Sequence, residues 1–300
     1  MKIALAQLNY TIGDIDGNVG RIIEAVRKAE QQGADVVLFA EYAVSGTPAY
    51  DLLRKTTFLT LCEEALEEIA AACKSVTAIV GSPMLTERGA VSAAAVLRNG
   101  QIEQIVEKQY ISARREMGFI VGGTGYQVID ILGAKVAVLV GDDLSHLNEL
   151  EDDADFVVSI NARRYGKGLL SYRHEMLRRL SYTEGRDVIF INQVGGSGDI
   201  VFDGTSGVMN RINKKTGETR LTNGLFFETL NRPFSIKIAD GKYLIEPRNN
   251  HPYSFNEDGT HGGYSMPHNP RVEKILNEAY STVKLDDNPV LFIYKFKDVE

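Results

Sequence analysis

Polar residues follow three apolar runs that read as buried strands. They are Glu41 after VVLFA, Lys108 after QIVE, and Gly141-Asp142-Asp143 after VAVLV. Sites in α/β proteins form beyond the carboxyl ends of strands, so these are the positions from which chemistry could be done. A carboxylate and an ammonium facing a polar turn are groups that can exchange protons and hold charge. Each alone has a simpler reading. A glutamate after a buried strand is ordinarily a solvated loop residue, and a lone lysine is blander still.

The elements that must position these residues alternate in the front half. KIALAQLNY alternates in polarity and reads as a strand. Asn18 to Gln32 carries apolar residues at helical spacing, and Gly33 ends that helix. ADVVLFAE is a second buried strand, Leu61 to Ser75 a helix, and VTAIVGSP a third strand. AVSAAAVLRNGQIEQIVEKQ reads as a hairpin turning at Asn99-Gly100. KVAVLVGDDL and DFVVSINA are further strands, Leu170 to Glu184 a helix, and DVIFINQVGG another strand. Strands joined both by helices and by hairpins point to a mixed sheet covered by helices.

From about residue 245 the composition shifts to Asn, His, Pro and Gly. The expected division is therefore 1–245 as the main domain and 246–300 as an arm packing on its own or a neighbouring subunit. That arm is expected to hold a short helix (Arg271 to Val283) and the strand-like PVLFIYKF.

Composition narrows the function classes. The 300 residues are 44% hydrophobic, enough for a sizeable core, and carry a net charge of −7. An acidic chain is a poor nucleic-acid binder. No apolar run is long enough for a membrane helix, and the start turns polar too early for a secretory signal. The two cysteines, Cys62 and Cys73, lie in one helical stretch and form neither a disulfide framework nor a zinc site. A reduced, cytoplasmic setting fits. The five histidines show no metal spacing, and His251, His261 and His268 fall in the arm. No metal and no cofactor are expected.

The order of Glu41, Lys108 and the Gly141 elbow resembles the nitrilase, or carbon–nitrogen hydrolase, superfamily. The resemblance is strongest to the glutaminase domains of glutamine-dependent NAD synthetases. It rests on KIALAQLN, GADVVLFAEYAVSGTPAYDLL, EKQY, VAVLVGDDL and above all INQVGGSGDIVFDGTSGVMN. The resemblance implies an α-β-β-α four-layer sandwich. It implies Glu41 as general base, Lys108 as oxyanion stabiliser, and an elbow cysteine that attacks the amide carbon. It also implies association through helices near the elbow, hence a homo-oligomer, and a small amide or carboxylate ligand.

The chain departs from that pattern in three places. The VLICED-like elbow reads VLVGDD, so Gly141 stands at the cysteine position and a thioester cannot form there. The loop after the next strand, Asn161 to Lys167, carries arginines where small residues would stand. The segment after Lys108 lacks the usual acidic-aromatic pattern, although Glu116 matches an accessory glutamate. By the resemblance, Glu116, Asp142, Arg163, Arg164 and Tyr165 are the candidate substrate-binding residues. Arg163, Arg164 and Lys167 read first as surface charge, with an anion site as the alternative. GGSGD (195–199) is not a pyrophosphate loop, because its residue order is wrong. The chain is expected not to make NAD on its own, and a partner synthetase is conceivable.

Three functional readings stay open at this level. The protein is a pseudoenzyme in which Glu41 and Lys108 persist as a buried ion pair. Alternatively it is an amide hydrolase in which Glu41 directs a water into the room left by the missing thiol. Finally, the glycine was introduced in place of cysteine.

Overall fold

A computed structural model describes residues 1–112, 116–147, 153–167, 169–198 and 200–209, and the strands 234–239, 242–247 and 290–295. In chain order its front half runs β1 (Lys2–Gln7), α1 (Ile15–Gln31), β2 (Val36–Leu38), a 3-10 turn (Tyr50–Arg54), α2 (Thr56–Ala72), β3 (Thr77–Thr86), β4 (Gly89–Arg98) and β5 (Gln101–Glu107). There follow β6 (Gln127–Ile131), β7 (Ala134–Val140), α3 (Asp143–His146), β8 (Phe156–Asn161), α4 (Leu169–Glu184), β9 (Asp187–Asn192), β10 (Val194–Ser197), β11 (Ile200–Asp203) and β12 (Gly207–Met209). The last described strands are β13 (Phe234–Ala239), β14 (Lys242–Pro247) and β15 (Val290–Lys295).

Two mixed sheets result, ordered β15-β1-β2-β3-β4-β5 and β12-β9-β8-β7-β6. The strands joined through helices are parallel: β1 with β2, β2 with β3, β7 with β8, and β8 with β9. The hairpins β3-β4-β5 and β6-β7 are antiparallel, since a tight turn can join only antiparallel neighbours. Asn99 and Gly100 adopt φ of 52° and 78°, the left-handed pair a two-residue hairpin turn needs.

Side-chain alternation assigns the layers. On β1, Ile3 and Leu5 point between the sheets, where they meet Leu38, Ile79, Val138, Val158 and Ile189. Ala4 and Ala6 point the other way, against Ile22 and Val26 of α1 and Leu66 and Ile69 of α2. On the far side, Ala137, Leu139 and Val157 pack under Leu177 and Leu180 of α4. The order is helix, sheet, sheet, helix, the four-layer sandwich that the resemblance implied.

Both front helices start earlier than their periodicity suggests. The Asp14 carboxylate caps α1 by accepting from Gly17 N, so the helix begins at Ile15. Asn18 is one turn inside it and clamps the neighbouring loops through the carbonyls of Thr11 and Val44. In α2, Phe58 and Leu59 extend the buried face of Cys62, Leu66 and Ile69 back to Thr56. The boundary expected at residue 245 falls inside β14, which pairs with β13. β15, from the expected arm, pairs antiparallel with β1 along its whole length. The Arg271–Val283 helix and the three arm histidines lie outside the described residues.

Candidate active site

The site forms where strand ends of the two sheets meet. Glu41 follows β2 of the first sheet, and its backbone N–H donates to Asn161 O, at the end of β8 of the second, at 3.3 Å. Gly141 directly follows β7, and its backbone N–H donates to Ile160 O at 2.8 Å. Gly81 on β3 lets the Glu41 segment cross closely. A Cβ there would lie 2.0 Å from the Glu41 carbonyl oxygen.

Lys108, directly after β5, is the hub. Its Nζ donates to Glu41 Oε1 at 2.9 Å and to Glu116 Oε2 at 2.8 Å, and lies 3.6 Å from Asp142 Oδ2. Lys108, Glu41 and Glu116 are each 1% exposed, which makes this a buried ion cluster rather than a surface pair. Tyr42 donates its hydroxyl to Glu116 Oε1 at 2.9 Å, and Ser92 donates to Glu41 Oε1 at 3.2 Å. Glu116 thus shares the Lys108 ammonium with Glu41.

The charge states follow from this crowding. Burial pushes the Glu41 carboxyl up to about 7. Lys108 pulls it down, while Glu116 and Asp142 add to the rise. Burial alone would lower the Lys108 ammonium, but Glu41, Glu116 and Asp142 together hold it above its ordinary range. Asp142 loses solvation, yet Lys108, Ser112 and Arg163 leave its carboxyl below the usual value. Lys108 is therefore a firmly charged cation, and Glu41 is a carboxyl group that changes state near neutrality.

The elbow itself differs from expectation in one respect. Gly141 has φ +55°, a left-handed conformation that glycine adopts without strain. A Cβ built there would stand 2.6 Å from both carboxylate oxygens of Glu41. The room expected beside a missing side chain is occupied by the Glu41 carboxylate. An empty buried void is costly, and a neighbouring flexible group that fills it relieves that cost.

Arg163 is a second correction. It does not stand in solvent as surface charge. Its Nη2 donates to Gly141 O at 3.2 Å and to Ser145 Oγ at 2.9 Å, and its Nε donates to Asn161 Oδ1 at 3.1 Å. Asp142 Oδ1 lies 3.9 Å from the same Nη2. Arg164, Tyr165 and Lys167 do remain exposed. Tyr165 N donates to Val201 O on β11 at 2.6 Å, and Arg164 bridges to Phe202.

Several positioning residues escaped the sequence reading. Asp143 accepts from Gln109 N at 3.0 Å and from Tyr110 N at 2.8 Å, tying the elbow to the segment that carries Lys108. Ser92 is a lone hydroxyl in the apolar run of β4, and that isolation was the available signal. Buried hydroxyls need partners. Asn192 holds the Arg163 segment by accepting from Arg163 N at 2.8 Å and donating to Arg163 O at 3.0 Å. Cys62 and Cys73 are buried with the α2 core, away from this cluster, and burial pushes both thiols up to about 12. Among the described residues no group of His, Cys, Asp and Glu is arranged to hold a metal ion, and no helix is long and apolar enough to cross a membrane.

Comparison with known proteins agrees with this geometry. The chain is 35% identical over 220 residues to the glutamine-dependent NAD(+) synthetase of Xylella fastidiosa (strain Temecula1 / ATCC 700964), covering 70% of this chain and 40% of that protein. The chain therefore spans about two fifths of the length of such relatives. The solved glutamine-dependent NAD+ synthetase of Acinetobacter baumannii superposes with a TM-score of 0.64 at 31% identity, over 73% of this chain and 42% of that one. An amidase of the nitrilase superfamily from Nesterenkonia AN1, solved as a cysteine-to-alanine mutant, shares the fold at 20% identity and a TM-score of 0.61, over 73% of this chain and 85% of that one. The carbon-nitrogen hydrolase family model matches residues 2–215, which hold β1 to β12 and the Glu41–Lys108–Gly141 cluster, and this chain belongs to that family.

Proposed function

We propose that this chain is a nitrilase-fold domain, similar to the glutamine-hydrolysing part of NAD synthetases, that does not hydrolyse amides through a thioester. It works instead by binding a small amide or carboxylate ligand at the Glu41–Lys108 site. The observation that carries this reading is the filled elbow. Gly141 offers no nucleophile, and Glu41 stands within 2.6 Å of the position a Cβ would take. Neither cysteine can substitute. A buried thiol raised to about 12 holds almost no thiolate at neutral pH, and the thiolate is the nucleophile.

One observation favours a second reading, direct attack by water with Glu41 as base. A carboxyl raised to about 7 is matched to proton transfer at neutral pH. The geometry speaks against it, because the same carboxylate fills the space beside Gly141 that such a water would need. Ammonia release from glutamine and simple amides separates the two. The binding reading expects the purified chain to match both a protein-free blank and Glu41→Gln. Release above the blank that disappears in Glu41→Gln would establish the water mechanism instead.

A further inference from the structure

The run Gly122-Gly123-Thr124-Gly125 would pass for an ordinary turn in the sequence. In the fold it lies across the end of β5, against the residues on either side of Lys108. Gly123 N donates to Lys108 O at 2.6 Å, and Gly125 N donates to Glu107 O at 3.1 Å. From the other side Lys108 N donates to Ser92 O at 2.8 Å, which extends the β4–β5 ladder by one residue. The Lys108 backbone is therefore bonded on both sides, to β4 through its N–H and to the glycine segment through its carbonyl.

The glycines are what allow that approach. A Cβ at Gly123 would stand 2.3 Å from Glu107 Cβ and 3.0 Å from Lys108 O, and one at Gly122 would stand 2.6 Å from Gln109 O. Neither residue has the left-handed backbone that favours glycine, so space and not conformation calls for it. Gly125 does have that backbone, with φ +87°, and a Cβ there would meet Gln109 Oε1 at 2.5 Å. Arg88 closes the outside of the segment. Its Nη1 donates to Gly122 O at 3.3 Å, and its Nη2 pairs with Glu107. The lysine side chain is long and rotatable, so a fixed root is needed to hold its ammonium on two buried carboxylates at once. Water does not screen a displaced charge there, and small movements change the interaction strongly.

We infer that Gly122–Gly125 is the positioning element of the site's cation: by packing without side chains against residues 107–109 it fixes the Lys108 backbone, and with it the distance of the ammonium from Glu41 and Glu116. This deepens the reading of the Glu41–Lys108 cluster as the binding site. Its test needs no ligand, so its failure and the failure of that reading are seen separately.

The test follows the Glu41 carboxyl by nuclear magnetic resonance in protein carrying isotope-labelled glutamate, with Glu41→Gln identifying the signal. Lys108 lowers the Glu41 titration midpoint, so drawing the ammonium back must raise it. Gly123→Ala is expected to raise the midpoint by about 1 pH unit. Adding Glu107→Gly to that variant removes the side chain that the new methyl meets, and should bring the midpoint back toward wild type. Leu180→Ala, a core truncation in α4, also lowers stability but should leave the midpoint where it is. Gly125→Ala meets the movable end of Gln109 and should shift the midpoint upward by less; it decides the matter if Gly123→Ala does not fold. The inference is overturned if the midpoint stays put in the deciding glycine variant, fails to return with Glu107→Gly, or moves as far in Leu180→Ala.

Discussion

The two sides of the site solve the problem of buried charge differently. On the first-sheet side, after β2 and β5, Glu41, Lys108, Glu116, Tyr42 and Ser92 satisfy one another within 2.8–3.2 Å. On the second-sheet side, after β7 and β8, Gly141 contributes no side chain and Arg163 is paired along one edge only. The contrast separates what the fold requires from what is left for a ligand. A closed ion cluster is explained by the cost of unpairing it and needs no catalytic role. Arg163 is held by three neutral acceptors and approaches Asp142 only loosely, at 3.9 Å.

The comparison can be broken at its closed side first. Lys108→Met strands two buried carboxylates and should lower folding stability by about 3–5 kcal/mol in denaturant melts at pH 7. A loss below about 1 kcal/mol would mean that the cluster is solvated and the contrast false. Ser92→Ala removes one bond to a buried carboxylate and should cost about 1–3 kcal/mol by the same measurement.

Glu41 supplies a pH signature. Its carboxyl rises from 4.5 to about 7 on folding, so below 4.5 both states hold the proton and its stabilising effect is full. As the pH rises toward 7 the unfolded chain releases its proton first, and that stability is lost. Wild type should therefore lose stability between about pH 4.5 and 7 relative to Glu41→Gln, which carries no titrating group there. Parallel curves would show that Glu41 is an ordinary solvated carboxylate. The smallest effect belongs to the open side. Arg163→Gln gives up three neutral hydrogen-bond acceptors and a loose contact with Asp142 at 3.9 Å, and should cost about 1 kcal/mol. A loss as large as that of Lys108→Met would make Arg163 a structural ion like the others.

Much of this contrast was visible in the sequence, but unevenly. Glu41 and Lys108 could be placed because each ends an apolar run, and strand ends converge in this fold. The Asn99-Gly100 turn was legible for a local reason, its need for two left-handed residues. Arg163 was not legible. NARRYGK reads as a polar loop, and only the meeting of β7, β8 and α3 supplies the three acceptors that draw one arginine inward and leave its neighbour outside. Glu116 stood in a segment without periodicity, so its partner could be known only once β5 and the Tyr42 hydroxyl were in place. The carboxylate beside Gly141 was missed because sequence shows which side chain is absent and not which neighbour moves in.

Gly141→Cys decides whether the missing thiol is what keeps this site from hydrolysing amides. The new side chain requires the Glu41 carboxylate to withdraw, and a left-handed cysteine should cost about 1–2 kcal/mol of stability. The measurement is ammonia release from glutamine and simple amides by wild type and Gly141→Cys side by side. Turnover is expected in the cysteine variant alone, from a thiol beside the Glu41 carboxyl and the Lys108 cation. Equal turnover by wild type would contradict it, and would show that this site hydrolyses amides without a thiol.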